Sequence, residues 1–182
     1  KDVRVMRSLM IPEGLIPRNE WGEVTIIGGN FVSWYGGFDS YIVAREIGDP
    51  ITAPSMGRKQ DQEDAIEDIH YMPYYTWREW INVLSQFNIG VHLMRTHAAG
   101  TFAMNCAFHG IPCIGYKGLD TQETLHPLTT VEVGDLETAK YLGKKLKEDD
   151  EFYDSCMENS REMFKKFYTE EAWLENWNLQ WK

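Results

Sequence analysis

The residues best suited to chemistry cluster where short apolar runs give way to small residues. The densest cluster is Thr96-His97-Ala98-Ala99-Gly100-Thr101-Phe102, which follows the apolar run from Asn88 to Met94. A strand that feeds a small-residue turn and then a helix leaves backbone N–H groups unpaired at the helix start. The helix dipole favours negative charge at the same place, so the arrangement suits a phosphate. Gly100 admits a ligand, the Thr101 hydroxyl adds a donor, and Arg95 and His97 are the nearest polar side chains. In the plainer reading Thr101 is an N-cap and His97 a surface residue. A second cluster is Gly28-Gly29-Asn30 with Gly36-Gly37. Glycines let the backbone approach an anion, and they equally serve turns that need positive φ. A third is Tyr71-Met72-Pro73-Tyr74-Tyr75-Thr76-Trp77, whose rings would flank a flat base or simply cover the core. Arg58 and Lys59, in a polar stretch, reach phosphates or are solvated.

These clusters work together only if strands deliver them to one edge of a sheet. Val24 to Ile27 is a β-branched run that reads as a buried strand. Further strands are expected at Ile51 to Pro54, Ile69 to Met72, Asn88 to Met94, Pro112 to Tyr116 and Thr129 to Val133. Helical spacing falls between them: Phe38 to Ile47, then a helix capped by Thr76 with Glu79 and running to about Phe87, then Gly100 to Phe108, then a helix behind Asp135. From Asp149 the pattern is helical to the end. Strands alternating with helices on short connections predict an α/β fold: a Rossmann-like, doubly wound parallel sheet of about six strands, helices on both faces, and a C-terminal helical tail. In such a sheet ligands bind beyond the strands' C-terminal ends.

Residues 1–22 are broken by Pro12, Gly14 and Pro17, with Val3 to Met6 as a possible short strand. They read as a linker or the remnant of an upstream domain, with residues 23–182 as the folded domain. Lys1-Asp2-Val3-Arg4 shows neither an initiator Met nor a signal sequence, as expected of a fragment or a processed product.

With 182 residues the chain suffices for one well-packed domain. A net charge of -10 argues against nonspecific binding to nucleic acid or to an anionic membrane, so a phosphate ligand must be held locally. Aromatics make up 13%, enough to line a ligand or partner surface as well as a core. Cys106, Cys113 and Cys156 have no zinc or disulfide spacing, which favours a reducing, cytoplasmic location. No apolar run approaches the ~20 residues of a membrane helix.

The stretch Asn88 to Met94, followed by Gly100 to Ile114 with its Gly110-Ile111-Pro112, resembles the C-terminal domain of GT-B glycosyltransferases of the retaining, glycogen-synthase-like kind. The resemblance covers about residues 22–180 and is most specific between Gly100 and Ile114. It implies binding of a nucleoside-diphosphate sugar and transfer of its hexose in the cleft against an N-terminal acceptor domain. It implies no cofactor, and with no carboxylate pair suited to a metal it implies metal-independent transfer. Gly28, Gly29, Gly100 and Thr101 would lie near the pyrophosphate, with Asn30 and Arg95 nearby. Asn105 would hold the ribose, Tyr74 would lie near the base, and His97 near the donor sugar as the candidate catalytic contact. His97 and Asn105 stand where that family places two glutamates, and no Lys or Arg occurs from Asn30 to Asp39 where it places a basic pair. The alternative is a non-catalytic binding or assembly module of the same fold, whose tryptophan-rich tail from Glu170 to Trp181 would pack on a partner. A nicotinamide-type Rossmann enzyme fits less well, because the first turn is not Gly-x-Gly-x-x-Gly.

Overall fold

The computed structural model describes residues 6–18, 24–48, 50–55, 61–97 and 100–181. Arg58, Lys59, Ala98, Ala99 and most of the stretch Val3 to Met6 lie outside the described residues; Met6 itself has no regular structure. Among the described residues six strands are present: β1 (Val24–Ile27), β2 (Ile51–Pro54), β3 (Ile69–Met72), β4 (Phe87–His92), β5 (Cys113–Tyr116) and β6 (Thr130–Val131). All pair in parallel, in the order β3-β2-β1-β4-β5-β6. The winding reverses between β1 and β4, and a reversal of that kind opens a crevice beyond the carboxyl ends of the two strands.

The helices are α1 (Gly37–Ile47), α2 (Trp77–Leu84), α3 (Thr101–His109), α4 (Asp120–Leu125), α5 (Leu136–Glu148), α6 (Asp150–Phe167) and α7 (Glu170–Gln180). Side chains alternate across each strand, and the two neighbours Ile26 and Ile27 show it. Ile27 packs with Val43, Ile47, Val91, Ile114 and Leu146 on the α1 and α5 face. Ile26 packs with Leu84, Phe102, Cys106 and Cys113 on the α2 and α3 face. Helix α3 lies close to the sheet because Gly28 sits beneath it. A Cβ there would stand 2.4 Å from the Phe102 ring.

The expected strands and main helices are present, with shifted ends. Helix α2 stops at Leu84, and Phe87 opens β4 as part of the apolar cluster beneath α3. The last strand shortens to Thr130–Val131. Helix α4 was not expected, since Leu119 and Leu125 are its only apolar signals. Asp135 caps α5 by accepting from Thr138 N at 3.0 Å. Glu79 accepts from the Thr76 N–H and hydroxyl at 2.8 and 2.7 Å, fixing the start of α2.

Residues 6–18 contain no helix or strand, yet they join the core. Met10 is buried with Ile81, Met104 and Tyr168. Arg18 is 8% exposed. Its guanidinium donates to the carbonyls of Phe87, His109 and Gly110 and to the Tyr153 hydroxyl. Two of those carbonyls end α3, where the helix dipole favours a cation.

Candidate ligand-binding site

A cavity of about 180 Å³ opens at the carboxyl edge of the sheet, lined by Gly28, Pro54, Ser55, Pro73, Tyr74, Tyr75, Trp80, Thr101, Phe102 and Asn105. Its parts come from the ends of β1, β2 and β3 and from the start of α3. Four residues singled out by sequence thus converge here: Gly28, Tyr74, Thr101 and Asn105. Tyr74 stands 83% exposed at the rim. Trp80 and Phe102 face each other with ring centroids 6.3 Å apart.

The start of α3 forms the polar end of the cavity. Gly100 is its N-cap at φ 60 and ψ 41, and no side chain caps the helix. That conformation is left-handed, and the Thr121 hydroxyl would lie 2.0 Å from an added Cβ, so the position demands glycine. The same hydroxyl donates to Gly100 O at 2.9 Å and pins the turn. Thr101 is the first helical residue rather than the cap, and it is exposed. An uncapped helix start presents N–H groups to an anion.

Asn105 is buried at 5% exposure. In the orientation that satisfies both ends of its amide, the oxygen accepts from Trp80 Nε1 at 3.0 Å and the nitrogen donates to Thr101 O at 3.2 Å. It lines the cavity with its hydrogen bonds already made.

The other expected residues lie around this cavity rather than in it. Asn30 is buried, and its Oδ1 accepts from Val32 N at 3.2 Å, shaping the turn after β1. Arg95 faces α1, where it donates to Asp39 Oδ2 from Nη2 at 2.7 Å and from Nε at 3.1 Å. The Tyr116 hydroxyl donates to the same oxygen at 2.9 Å. Burial and that carboxylate push the Tyr116 hydroxyl up to about 12. Arg95 and Asp39 border a neighbouring cavity of about 300 Å³ with Phe31, Ser33 and Gly36. His97 is exposed and turns toward the end of β5, where its Nδ1 donates to Gly118 O at 2.5 Å.

Two residues without an expected role stand in or behind the cavity wall. Trp80 supplies a wall and the partner of Asn105. His92 ends β4 beside Gly29, buried, with neither ring nitrogen hydrogen-bonded. A histidine closing the apolar run Ile89-Gly90-Val91 was the one sequence signal for it. Among the described residues no group of three or more His, Cys, Asp or Glu side chains is placed to hold a metal ion. The three cysteines are buried free thiols. No described helix is long and apolar enough to cross a membrane.

No protein-family model matches the sequence, and no curated protein matches it. Solved structures do share its fold. AviGT4, a glycosyltransferase involved in avilamycin A biosynthesis, matches 98% of this chain and 57% of its own, with a TM-score of 0.76 at 12% identity. WaaG, a glycosyltransferase involved in lipopolysaccharide biosynthesis, matches 97% of this chain and 55% of its own, with a TM-score of 0.72 at 9% identity. HepE from Anabaena, solved with UDP-glucose, matches 87% of this chain and 48% of its own, with a TM-score of 0.68 at 9% identity. The chain spans about half the length of these three structures, from 48% to 57%. It has the Rossmann-like fold of one domain of GT-B glycosyltransferases, in keeping with the resemblance to their C-terminal domain.

Proposed function

We propose that this chain is the donor-binding domain of a glycosyltransferase and takes a nucleoside-diphosphate sugar into the cavity between Gly28 and the start of α3. The observation that carries the reading is one cavity at the point where the winding reverses, with an uncapped helix start at one end and an aromatic wall of Tyr74, Tyr75 and Trp80 at the other. The first suits a diphosphate and the second a flat base. Gly28, Gly29, Gly100 and Thr101 border the pyrophosphate. Asn105 meets the ribose after exchanging or sharing its bond with Trp80. Tyr74 covers the base from the rim, His97 turns from Gly118 to the donor sugar, and Arg95 leaves Asp39 to join the phosphates.

In the intact enzyme the bond from the anomeric carbon to the diphosphate breaks, an acceptor hydroxyl oxygen bonds that carbon and gives up its proton, and negative charge grows on the departing oxygen. The α3 dipole and its N–H groups face that charge as it develops, and a group already in place stabilises the transition state without reorganising. The acceptor is held by a second domain. Helix α7 offers a surface for it: none of its residues is buried, and Trp173, Trp177 and Trp181 stack with centroids 5.4 and 5.1 Å apart. In this reading residues 1–22 lead from that domain, and three free buried thiols suit the cytoplasm.

A second reading, a binding module without chemistry, draws on Asn105 and His97 standing where the resembled family carries glutamates. Thermal unfolding with UDP, other nucleoside diphosphates and their sugar conjugates tests the donor reading. A ligand at 100 times its Kd adds about 2.7 kcal/mol of stability. A rise in Tm with one nucleotide class is the expected result, and no rise with any of them rejects it.

A further inference from the structure

His92 is the last residue of β4, at the reversal of the sheet. It is 5% exposed, and neither Nδ1 nor Nε2 has a hydrogen-bond partner. Buried polar groups are nearly always paired, so an orphan of this kind points to a role outside packing. Two other buried histidines show the contrast. His109 Nε2 donates to Ile81 O at 2.8 Å while its Nδ1 accepts from Arg18 N at 3.1 Å. His126 Nε2 donates to Ala103 O at 3.0 Å while its Nδ1 accepts from Cys113 N at 3.4 Å. Both are complete as neutral rings, whereas His92 keeps a donor and an acceptor unused.

The surroundings of His92 show what those atoms face. The turn after β1 passes against the ring, so close that a Cβ added to Gly29 would lie 3.2 Å from Nε2. Phe102, the second residue of α3, also meets the imidazole edge-on with centroids 5.3 Å apart at 73°. The same Phe102 ring covers Gly28 and forms part of the cavity wall. His92 therefore touches both the glycine turn and the first turn of α3, one aromatic ring behind the cavity.

We infer that His92 is a ligand-contacting residue of this cavity: as a diphosphate settles on the α3 start, the Phe102 ring turns off Gly28 and His92 donates a ring N–H to a phosphate oxygen. The inference rests on the nucleotide-sugar reading above and adds a recognition element to it. No covalent bond is made or broken in this step; the proton stays on the imidazole nitrogen. The cost of the orphaned nitrogens in the empty state is recovered when the ligand pairs one of them.

Calorimetric titration with UDP and with uridine tests it on the wild-type chain, His92→Leu and His92→Asn. The expected result is UDP binding at least about tenfold weaker in His92→Leu, the loss of a charge-assisted hydrogen bond. Uridine, which lacks phosphate, binds both within about twofold. His92→Asn, which keeps an N–H, recovers part of the UDP affinity. In the wild-type chain the ring nitrogens of one buried histidine shift in the NMR spectrum on UDP addition and do not shift on uridine addition. That spectrum decides the matter should a variant fail to fold. UDP affinity unchanged in His92→Leu, or UDP and uridine affinity falling together, overturns the role of His92 and leaves the nucleotide reading intact. A wild-type chain that binds neither UDP nor any other nucleoside diphosphate overturns both.

Discussion

The indole N–H of Trp80 and the side-chain oxygen of Asn105 lie 3.0 Å apart, joining α2 to α3 across the cavity wall. The contact closes the Asn105 amide in the empty domain, and a ribose hydroxyl that binds there must share or replace the indole. Asn105→Ala is expected to take the partner from a partly buried indole and to cost about 1 kcal/mol in urea unfolding. It also weakens nucleotide binding, since the ribose loses its partner. An unchanged nucleotide affinity in this variant would remove Asn105 from the ribose site.

Trp80→Phe makes the complementary test. The ring stays, the N–H goes, and the Asn105 oxygen becomes available to a ligand. Nucleotide affinity should hold or rise while stability falls by about 1 kcal/mol. A large loss of affinity would mean that the indole, not Asn105, meets the ligand.

His92→Leu should make the empty domain more stable, by about 1–3 kcal/mol, because it removes two orphaned polar atoms from a buried site. A gain in stability together with a loss of UDP binding is the signature of a residue kept for the ligand. A stability loss comparable to a cavity-forming mutation would mark His92 as packing only.

Arg18→Ala tests whether the segment before β1 is part of the fold. Its guanidinium bonds three carbonyls and a hydroxyl and ties β4 and α3 to α6. Losing it takes a donor from the Phe87 and Gly110 carbonyls, while His109 O keeps Arg161 Nη2 at 3.0 Å, and a cost of about 2–5 kcal/mol is expected in chemical denaturation. A change below about 0.5 kcal/mol, typical of an inert surface site, would show that the segment only rests on the domain.

Acid should weaken the fold through its buried histidines. Burial lowers His92, His109 and His126 from 6.5 to about 4. Between those values the unfolded chain binds more protons than the folded one, so stability falls as pH drops from 6.5 toward 4. It is fully present above 6.5. Each histidine contributes a slope of at most about 1.4 kcal/mol per pH unit. Urea midpoints measured across this window should drop steeply in the wild type and less so in His92→Leu. A flat profile would contradict the burial of all three rings.

Local sequence carried much of the fold and part of the site. Paired runs such as Ile26-Ile27 and Cys113-Ile114 are apolar on both faces, which announces a doubly covered parallel strand. Thr76 with Glu79, Asp135, Gly100 and Gly110 punctuate the helices through contacts within a few residues, and these are the signals a sequence states directly. Gly28, Tyr74 and Thr101 were legible because strand ends in such a sheet share one edge. What was not legible depends on partners far away in the chain. Asp39 captures Arg95 from 56 residues away, Gly118 holds His97 from 21 away, and Trp80 engages Asn105. Residue type suggested an available side chain in each case, and tertiary packing had already occupied it. The shortened α2 has the same cause, since Phe87 gains more as the first strand residue in an apolar cluster than as a last helical turn.

The most direct test of donor binding is a proton–nitrogen correlation spectrum of the chain titrated with UDP. If the donor binds here, the Trp80 indole signal and the backbone signals of Gly28, Thr101, Phe102 and Asn105 move together and saturate at one affinity. Signals that stay fixed at saturating UDP, or that move only around Lys117, Glu123, Thr130 and Glu132, which line a different cavity at the end of β6, would contradict it.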